Sequence, residues 1–319
     1  MTSDNSQAFV QRGELKLLSG NANLPLAKCI ADNLNTPLGA AEIEKFSDGE
    51  IKIKINESIR GKDVYIIQPT SYPTNDNLME LLIMIDACRR ASAGYVNAII
   101  PYYGYARQDR KTRGREPITA KLVANLITQA GADRVITMDL HAGQIQGYFD
   151  IPVDHFSAIR LLAEYFNDIA YDKPDEFVVV SPDLGGVRRA RQFSDYLRRP
   201  MPNVSEVMNV IGDFKGKYAI LVDDIVDTAG TITNAANYLM ENGAKGVYIT
   251  ATHGVLSGQA IDKLQDSSVK EVVLTNTIEL PESKKIDKIK QLNIGSLLAE
   301  SIHRINTYES ISGLFEDDK

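Results

Sequence analysis

Short apolar runs alternate with amphipathic stretches along most of this chain of 319 residues. The runs VYII, NAII and FVVV are nearly continuous in apolar residues, which is typical of parallel strands buried on both faces of a sheet. The stretches between them repeat apolar residues with helical spacing, and such alternation favours parallel α/β sheets. Strands are predicted at 15–18, 51–55, 63–67, 96–100, 134–138, 177–180, 219–222, 246–250 and 271–275, and helices at 77–91, 118–130, 185–197 and 231–241.

The length suggests two domains of about 150 residues each. We place the first at 1–153 and the second at 154–303, with the boundary near Pro152 to Phe156. No tandem sequence repeat is visible, although the two halves can still share a fold.

Composition and charge narrow the class of protein. A hydrophobic content of 44% is ordinary for a globular chain, and a net charge of −7 argues against non-specific nucleic-acid binding. Cys29 and Cys88 lack disulfide or zinc spacing, so we expect two buried small side chains. Neither a membrane span nor a signal peptide is predicted, which indicates a cytoplasmic protein without a membrane partner.

The segment AILVDDIVDTAGT, residues 219–231, carries the most specific chemistry. An apolar strand leads to two adjacent carboxylates, Asp223 and Asp224, and a short turn then enters a helix. Backbone N–H groups at a helix start bind phosphate, and the hydroxyls of Thr228 and Thr231 add donors. Gly230 permits close approach of the backbone to a ligand, because it has no Cβ. The two acids suit ribose hydroxyls or a magnesium ion.

A cationic loop, residues 101–119, follows the strand at 96–100 in this acidic protein. Arginine-rich loops on a rigid scaffold suit polyphosphates, so we favour an anion site over a solvated loop or a subunit interface. Its basic residues are Arg107, Arg110, Lys111, Arg113 and Arg115.

Three further polar groups follow or precede predicted strands. His141, in DLHA, is either a neutral metal ligand or a satisfied core histidine. Asp183, in SPDLGG, is either an oxygen ligand or a helix N-cap. The segment Phe46 to Glu50, FSDGE, reads as a turn that enters a strand.

Together these segments resemble one family. FSDGE, YYGYARQDR, REPITAK, DLHAGQIQGYFD, SPDLGGVRRAR, PNVSEVMNVIGD, DDIVDTAGT and ATHGVLSG occur in the order found in class I ribose-phosphate pyrophosphokinases (PRPP synthetases), over nearly the whole chain. The loop at 223–231 also resembles the PRPP loop of the wider phosphoribosyltransferase-like superfamily. The resemblance implies two phosphoribosyltransferase-like α/β domains, each a mostly parallel sheet flanked by helices, with residues 304–319 packing back on the first.

The resemblance also implies an activity and a set of sites. The family transfers the diphosphoryl group of ATP to the C1 hydroxyl of ribose 5-phosphate with Mg²⁺, and yields PRPP and AMP. Carried over by position, the ATP site comprises Asp48, Gly49, Glu50, Arg107 and Gln108, and the metal ligands are His141 and Asp183. The ribose 5-phosphate site comprises Arg199, Asp223, Asp224, Asp227, Thr228, Ala229, Gly230 and Thr231. A homohexamer and an ADP or phosphate effector are implied as well, with the segment 107–115 suited to the subunit interface.

The chain departs from the family after the helix at 185–197. A further strand of about half a dozen residues and a lysine usually precede the two arginines, which match Arg198 and Arg199 as catalytic cations. Three interpretations are open: the sequence omits residues, another base substitutes for the lysine, or the chain is a weak or inactive paralogue that serves as a nucleotide-binding regulatory subunit. The exposed strand edge that a real loss would leave favours the first.

Two other functions use a similar loop. A phosphoribosyltransferase has no need for YYGYARQDR and DLHA in an upstream half. A PRPP-sensing nucleic-acid regulator disagrees with the acidic charge and with the lack of a helix-turn-helix.

Overall fold

The computed structural model describes residues 12–183, 185–197 and 214–315. Arg198 and Arg199, together with the gap that they adjoin, lie outside these ranges. The strands are β1 (Leu15–Ser19), β2 (Ala41–Lys45), β3 (Ile51–Ile55), β4 (Asp63–Ile67), β5 (Tyr95–Ile100), β6 (Arg134–Met138), β7 (Val153–Phe156), β8 (Phe177–Val180), β9 (Tyr218–Val226), β10 (Gly246–Gly254), β11 (Val269–Thr275) and β12 (Ile289–Leu292). The helices are α1 (Leu24–Asn33), α2 (Thr74–Arg90), α3 (Thr119–Ala130), α4 (Ile159–Ile169), α5 (Val187–Leu197), α6 (Gly230–Glu241), α7 (Ala260–Asp266) and α8 (Gly295–Asn306).

Two parallel sheets with the same topology make up the described chain. The first has five strands in the order β1-β4-β5-β6-β7, and the second has five in the order β8-β9-β10-β11-β12. Each sheet is therefore built from strands in chain order, apart from the hairpin between β1 and β4. The two halves share an arrangement that their sequences do not display, and the predicted fold class of two parallel α/β sheets is confirmed.

Helices cover both faces of each sheet. One apolar cluster joins α2 and α3 to the first sheet, and another joins α6 and α7 to the second. A third cluster lies between the two sheets and includes Leu17, Phe156, Phe166, Phe193 and Ile302 from both halves. Because this central layer is shared, the two sheets hold each other in place, and the loops at their carboxyl ends meet across one cleft.

The hairpin of β2 and β3 stands apart from the first sheet. Its strands pair antiparallel, from Ala41 opposite Ile55 to Lys45 opposite Ile51. The strand IKIKI alternates half-buried isoleucines with exposed lysines, which is the period of a strand with one solvated face. This hairpin is the antiparallel exception to the predicted parallel pattern.

Most predicted strands match the structure. Two of the differences lie next to the carboxylate pair, and three further strands were not predicted. β9 was expected to end at Val222 but continues to Val226, so both carboxylates of the DD pair lie inside the strand. α6 begins at Gly230, which leaves a shorter loop than expected. The pattern did not single out β2, β7 or β12, because these strands are short or only partly buried.

The segment after β12 returns to the first sheet. α8 packs against α1, and Asn306 Nδ2 donates to Asp63 Oδ2 at 2.9 Å, a carboxylate buried in β4. Further along, the Phe315 ring stacks on Phe156 of β7 at 4.6 Å between ring centroids. These contacts tie the end of the described chain to the first half.

Two smaller expectations have different outcomes. Cys88 is buried as expected, but Cys29 is only half-buried, and its Sγ accepts a hydrogen bond from Asn293 Nδ2 at 3.0 Å. No helix within the described ranges combines the length and apolar character that crossing a bilayer requires.

Candidate active site

A large cleft of about 1210 Å³ opens where the carboxyl ends of the two sheets face each other. The loops after β5 and β6 line it from the first sheet, and the loop after β8 and the end of β9 line it from the second. Ligands of parallel α/β sheets bind at this end of the strands. Of the predicted site residues, the cleft brings together Arg107, His141, Asp183, Asp223, Asp224 and Asp227.

The carboxylate pair of β9 forms the floor of this cleft. Asp224 is 4% exposed and Asp223 is half-buried, and the Asp224 N–H donates to Asp223 Oδ1 at 2.8 Å. Arg189 of α5 donates from one guanidinium nitrogen to Asp223 Oδ1 at 3.4 Å and to Asp224 Oδ1 at 3.2 Å. Among the described residues, Arg189 is thus the guanidinium that both acids share.

The pKa values of the two carboxyl groups are shifted in opposite directions. Burial and the neighbouring carboxylate of Asp224 raise the pKa of Asp223. Burial also pushes the pKa of Asp224 upwards, but the hydrogen bond from His141 and the charge of Arg189 outweigh it, so this pKa lies below its ordinary value. Asp224 is therefore the ionised member of the pair, and Asp223 holds its proton more readily.

His141 reaches this pair from the other sheet. Its Nδ1 lies 2.7 Å from Asp224 Oδ2, and the hydrogen bond raises the pKa of the imidazole. The side chain is 40% exposed, so His141 is not a core histidine. With Nδ1–H directed at a carboxylate, Nε2 has no partner among the described residues. A carboxylate that orients the imidazole in this way is the usual support of a metal-binding histidine.

Asp183 caps a helix and also faces the cleft. Its Oδ1 accepts the N–H of Gly186 at 2.8 Å, one residue before α5 begins, which is the behaviour of a helix cap. The side chain is nevertheless exposed and lines the cleft. Since one oxygen suffices for the cap, a carboxylate here can serve the cleft as well.

The donors around the cleft suit a metal ion that is shared with a substrate. Within the described ranges, no group of three or more His, Cys, Asp or Glu side chains is arranged to hold a metal ion. Mg²⁺ commonly binds through one or two protein ligands together with substrate phosphates and water, rather than in an all-protein cage. The imidazole and carboxylates around this cleft fit that mode.

The loop after β9 joins the two halves a second time. Arg107, in the loop after β5, forms an ion pair with Asp227, and Ser257 donates a hydrogen bond to the same carboxylate. Ala229 has a left-handed backbone with φ of 60° and immediately precedes α6. Thr228 and Thr231 are exposed, and neither hydroxyl has a partner among the described residues. The loop therefore presents free donors next to the cleft, although only Asp227 of the residues 227–231 lines it.

Other predicted residues lie away from the cleft. Asp48, Gly49 and Glu50 form the exposed turn of the β2–β3 hairpin, where the Glu50 N–H donates to Asp48 Oδ1 at 3.1 Å. Gln108 is also exposed, and its carbonyl accepts the N–H of Ala120 at 3.2 Å, which ties it to the start of α3. The structure does not bring these four residues to the carboxylate pair.

Sequence reasoning missed several residues that the structure puts at the cleft. Arg189 is the cation shared by the carboxylate pair. The one sequence signal for it was that its segment, SPDLGGVRRAR, directly follows a predicted strand. Asp109 is 7% exposed and accepts a hydrogen bond from Gln144 at 2.6 Å, so the cationic loop contains a buried acid. Asp139 also lines the cleft, whereas His253 does not line it and is buried beneath the His141 loop. Burial of polar groups depends on which strands become neighbours, so a local sequence pattern does not predict it.

The two parallel sheets, with the carboxylate pair of β9 at the cleft, define a protein of the phosphoribosyltransferase-like class. Residues 15–131 match the model of the N-terminal domain of ribose phosphate pyrophosphokinase, and residues 188–316 match the phosphoribosyl synthetase-associated domain. The ribose-phosphate pyrophosphokinase of Clostridium tetani is 58% identical over 315 residues, which covers 96% of this chain and 98% of that protein. The chain therefore belongs to the ribose-phosphate pyrophosphokinase family.

Two other relatives agree. The ribose-phosphate pyrophosphokinase of Bacillus subtilis is 58% identical over 310 residues, covering 94% of this chain and 97% of that protein. The crystal structure of phosphoribosylpyrophosphate synthetase from Mycobacterium smegmatis superposes with a TM-score of 0.88 at 46% identity, covering 92% of this chain and 99% of that one.

Proposed function

We propose that this chain transfers the diphosphoryl group of ATP to the C1 hydroxyl of ribose 5-phosphate, which yields PRPP and AMP for nucleotide biosynthesis. The contact between His141 and Asp224 carries the proposal, because it joins a histidine of the ATP-side half to the acid pair of the phosphate-loop half. In a chain of this family, we propose that the two substrates meet at this contact.

The ribose 5-phosphate side uses groups of the second half. Backbone N–H groups at the start of α6 and the hydroxyls of Thr228 and Thr231 are donors for the 5-phosphate. Asp223 and Asp224 accept from the ribose hydroxyls or hold their metal. Asp227 is held by Arg107 and Ser257, so the loop is ordered before substrate arrives.

The ATP side uses groups of the first half. Arg107 is half-exposed at the cleft and is able to leave Asp227 for a phosphate, since an exposed ion pair contributes little. We propose that Gln108 and the hairpin turn at Asp48, Gly49 and Glu50 contact the rest of the nucleotide. Arg198 and Arg199 are proposed to neutralise charge on the transferred group as catalytic cations, with Arg199 also contacting ribose 5-phosphate.

A metal ion completes the chemistry of this family. We propose Mg²⁺, held by His141 and Asp183; when bound, it neutralises charge on the phosphate oxygens. Asp224 keeps the imidazole oriented for this task with Nδ1–H bound and Nε2 free. Arg189 meanwhile limits repulsion between the two acids of β9.

The test is to mix the purified chain with ATP, Mg²⁺ and ribose 5-phosphate, and to follow AMP and PRPP. We expect stoichiometric formation of both products. A folded protein that binds ATP but releases no AMP above background would contradict catalysis and support a regulatory subunit. The intact mass should be measured on the same sample, because 35.2 kDa corresponds to the sequence without the usual strand and lysine before Arg198.

Assembly, regulation and location are proposed from family membership. We propose a cytoplasmic homohexamer that is regulated by ADP or phosphate at the segment 107–115. Sedimentation with and without ADP tests the oligomer size and its response to this effector. We also propose domains at 1–153 and 154–303, with 304–319 belonging to the first. The hydrogen bond from Asn306 to Asp63 supports this assignment.

A further inference from the structure

The loop that carries His141 is held from below by a buried histidine of the other half. His253 lies in β10 and is 2% exposed. Its Nε2 lies 3.1 Å from the carbonyl oxygen of Asp139, two residues before His141. A carbonyl oxygen only accepts, so Nε2 carries the proton and donates it. Nδ1 then accepts from the hydroxyl of Thr277, which lies at 2.9 Å.

Asp139 is the residue on which these contacts converge. Its backbone has φ of 33°, in the left-handed region that side-chain-bearing residues seldom adopt. Its carboxylate accepts from Thr252 Oγ1 at 2.6 Å, from Ser157 Oγ at 2.7 Å and from the N–H of Ala158 at 2.8 Å. Surrounding bonds of this kind are what maintain a strained backbone conformation, and such strain clusters at functional sites.

These contacts form a continuous path that links the two sheets and returns to its starting sheet. β10 pairs with β9, with Ala251 opposite Asp223 and His253 opposite Ile225. From His253 the path runs through the Asp139 carbonyl to His141, and from His141 Nδ1 back to Asp224 in β9. The spacing between the imidazole and the acid pair is thus set by the same two neighbouring strands that hold those acids.

The interior around His253 keeps it in one form. Burial lowers its pKa, so the ring stays neutral with the tautomer that the two hydrogen bonds require. The ring forms a T-shaped contact with Tyr102 of the first half, with 5.1 Å between centroids. No part of His253 lines the cleft, so it acts on ligands only through another residue.

We infer that His253 is a positioning residue that fixes the Asp139–His141 loop of one half against the acid pair of the other. The inference rests on the proposed function, because His141 matters only if it serves the nucleotide and its metal. Loss of the Nε2–H donor frees the Asp139 carbonyl, and the imidazole of His141 no longer stays in register with Asp224.

The experiment uses the full-length chain with His253→Leu, His253→Gln and Thr252→Val. Leu removes the donor, whereas the Gln amide can donate to the same carbonyl; Thr252→Val removes one bond to Asp139 and keeps the β-branched shape. Thr250→Val is the matched control, since Thr250 is fully buried in the same strand and its hydroxyl has no partner among the described residues. Thermal unfolding reports whether each variant folds.

Ligand binding separates positioning from bulk stability. Binding of Mn²⁺ with α,β-methylene-ATP, measured by electron paramagnetic resonance, should weaken at least tenfold in His253→Leu and less in Thr252→Val. Binding of ribose 5-phosphate by calorimetry should change less than twofold in both. His253→Gln should return Mn²⁺-nucleotide binding to within about threefold of the parent, and Thr250→Val should match the parent.

Steady-state kinetics of His253→Leu should show the same difference between the two ligands. We expect a lower kcat and a higher Mg²⁺ requirement but an unchanged KM for ribose 5-phosphate. Equal loss of both ligands in His253→Leu and Thr252→Val, unchanged Mn²⁺-nucleotide binding in both, or a folded His253→Gln that fails to recover, each overturns the inference. If the parent protein binds both ligands but forms no AMP, the proposed catalysis fails, while the binding comparison still decides the role of His253.

Discussion

His141 Nδ1 lies 2.7 Å from Asp224 Oδ2, although 83 residues separate them and each belongs to a different sheet. The contact places an imidazole with a raised pKa against a buried carboxylate with a lowered one. A proton and the metal ion that we propose for His141 would therefore compete for the same ring. The pH dependence of this protein should reflect that competition.

Replacement of His141 by Gln should remove a stabilisation that exists only at low pH. Because the folded pKa of His141 is raised, the contribution of its charged form is complete below the unfolded pKa of 6.5 and disappears as pH rises through the folded pKa. The side chain is 40% exposed, so solvent screening limits the effect to about 1 kcal/mol or less. Urea unfolding at pH 6 and pH 9 measures it. The exposed His303, 3.9 Å from Glu309, is the control, and an equal pH effect in His303→Gln contradicts this assignment.

Replacement of Asp223 by Asn should stabilise the protein at alkaline pH while it impairs function. The pKa of Asp223 is raised, so the folded state loses stability as pH rises from the unfolded value of 3.8 through the folded pKa. An uncharged amide escapes this penalty, and we expect a gain of about 1–3 kcal/mol at pH 8 and little change at pH 4. Denaturant midpoints at the two pH values check it. Ribose 5-phosphate binding should weaken in the same variant, and a less stable variant at pH 8 refutes the argument.

Two substitutions of Asp183 should separate its cap from its metal role. Asp183→Asn can still accept the Gly186 N–H and should retain stability, whereas Asp183→Ala should lose about 1 kcal/mol. Both remove the negative charge, so both should raise the Mg²⁺ concentration for half-maximal activity at least tenfold. If Asp183→Asn behaves as the parent protein does in magnesium titrations, Asp183 is a cap alone.

Gly230→Ala should uncouple stability from phosphate binding. A Cβ at this position would meet only Lys263 Nζ, at 3.7 Å, so the folded protein tolerates it. Alanine in the first turn of α6 should increase stability by up to about 1 kcal/mol. The same methyl group occupies space that a phosphate needs beside the loop, and calorimetry should show weaker binding of ribose 5-phosphate. Gly147→Ala is the control, since a Cβ there meets nothing within 4 Å; undiminished binding in Gly230→Ala contradicts the loop assignment.

The sequence predicted which segments form strands more accurately than the residues at which those strands end. Buried strands such as β4 and β8 were predicted to the residue because their apolar runs end abruptly. The end of β9 was missed because Asp223 and Asp224 look like the start of a loop, whereas pairing with β10 continues through Gly254 opposite Val226. Charged residues interrupt a hydrophobic pattern without interrupting a hydrogen-bonded ladder.

Order along the chain was enough to identify the family and to nominate the carboxylate pair, the DLHA histidine and the phosphate loop, since each lies in a short contiguous motif with its own chemistry. Only the tertiary structure decided that His141 meets Asp224, that Arg189 serves both acids, and that the hairpin turn at Asp48 lies away from this cleft. Contacts between side chains from different sheets depend on the shared core that packs the sheets together. A motif read along the chain contains no information about that packing.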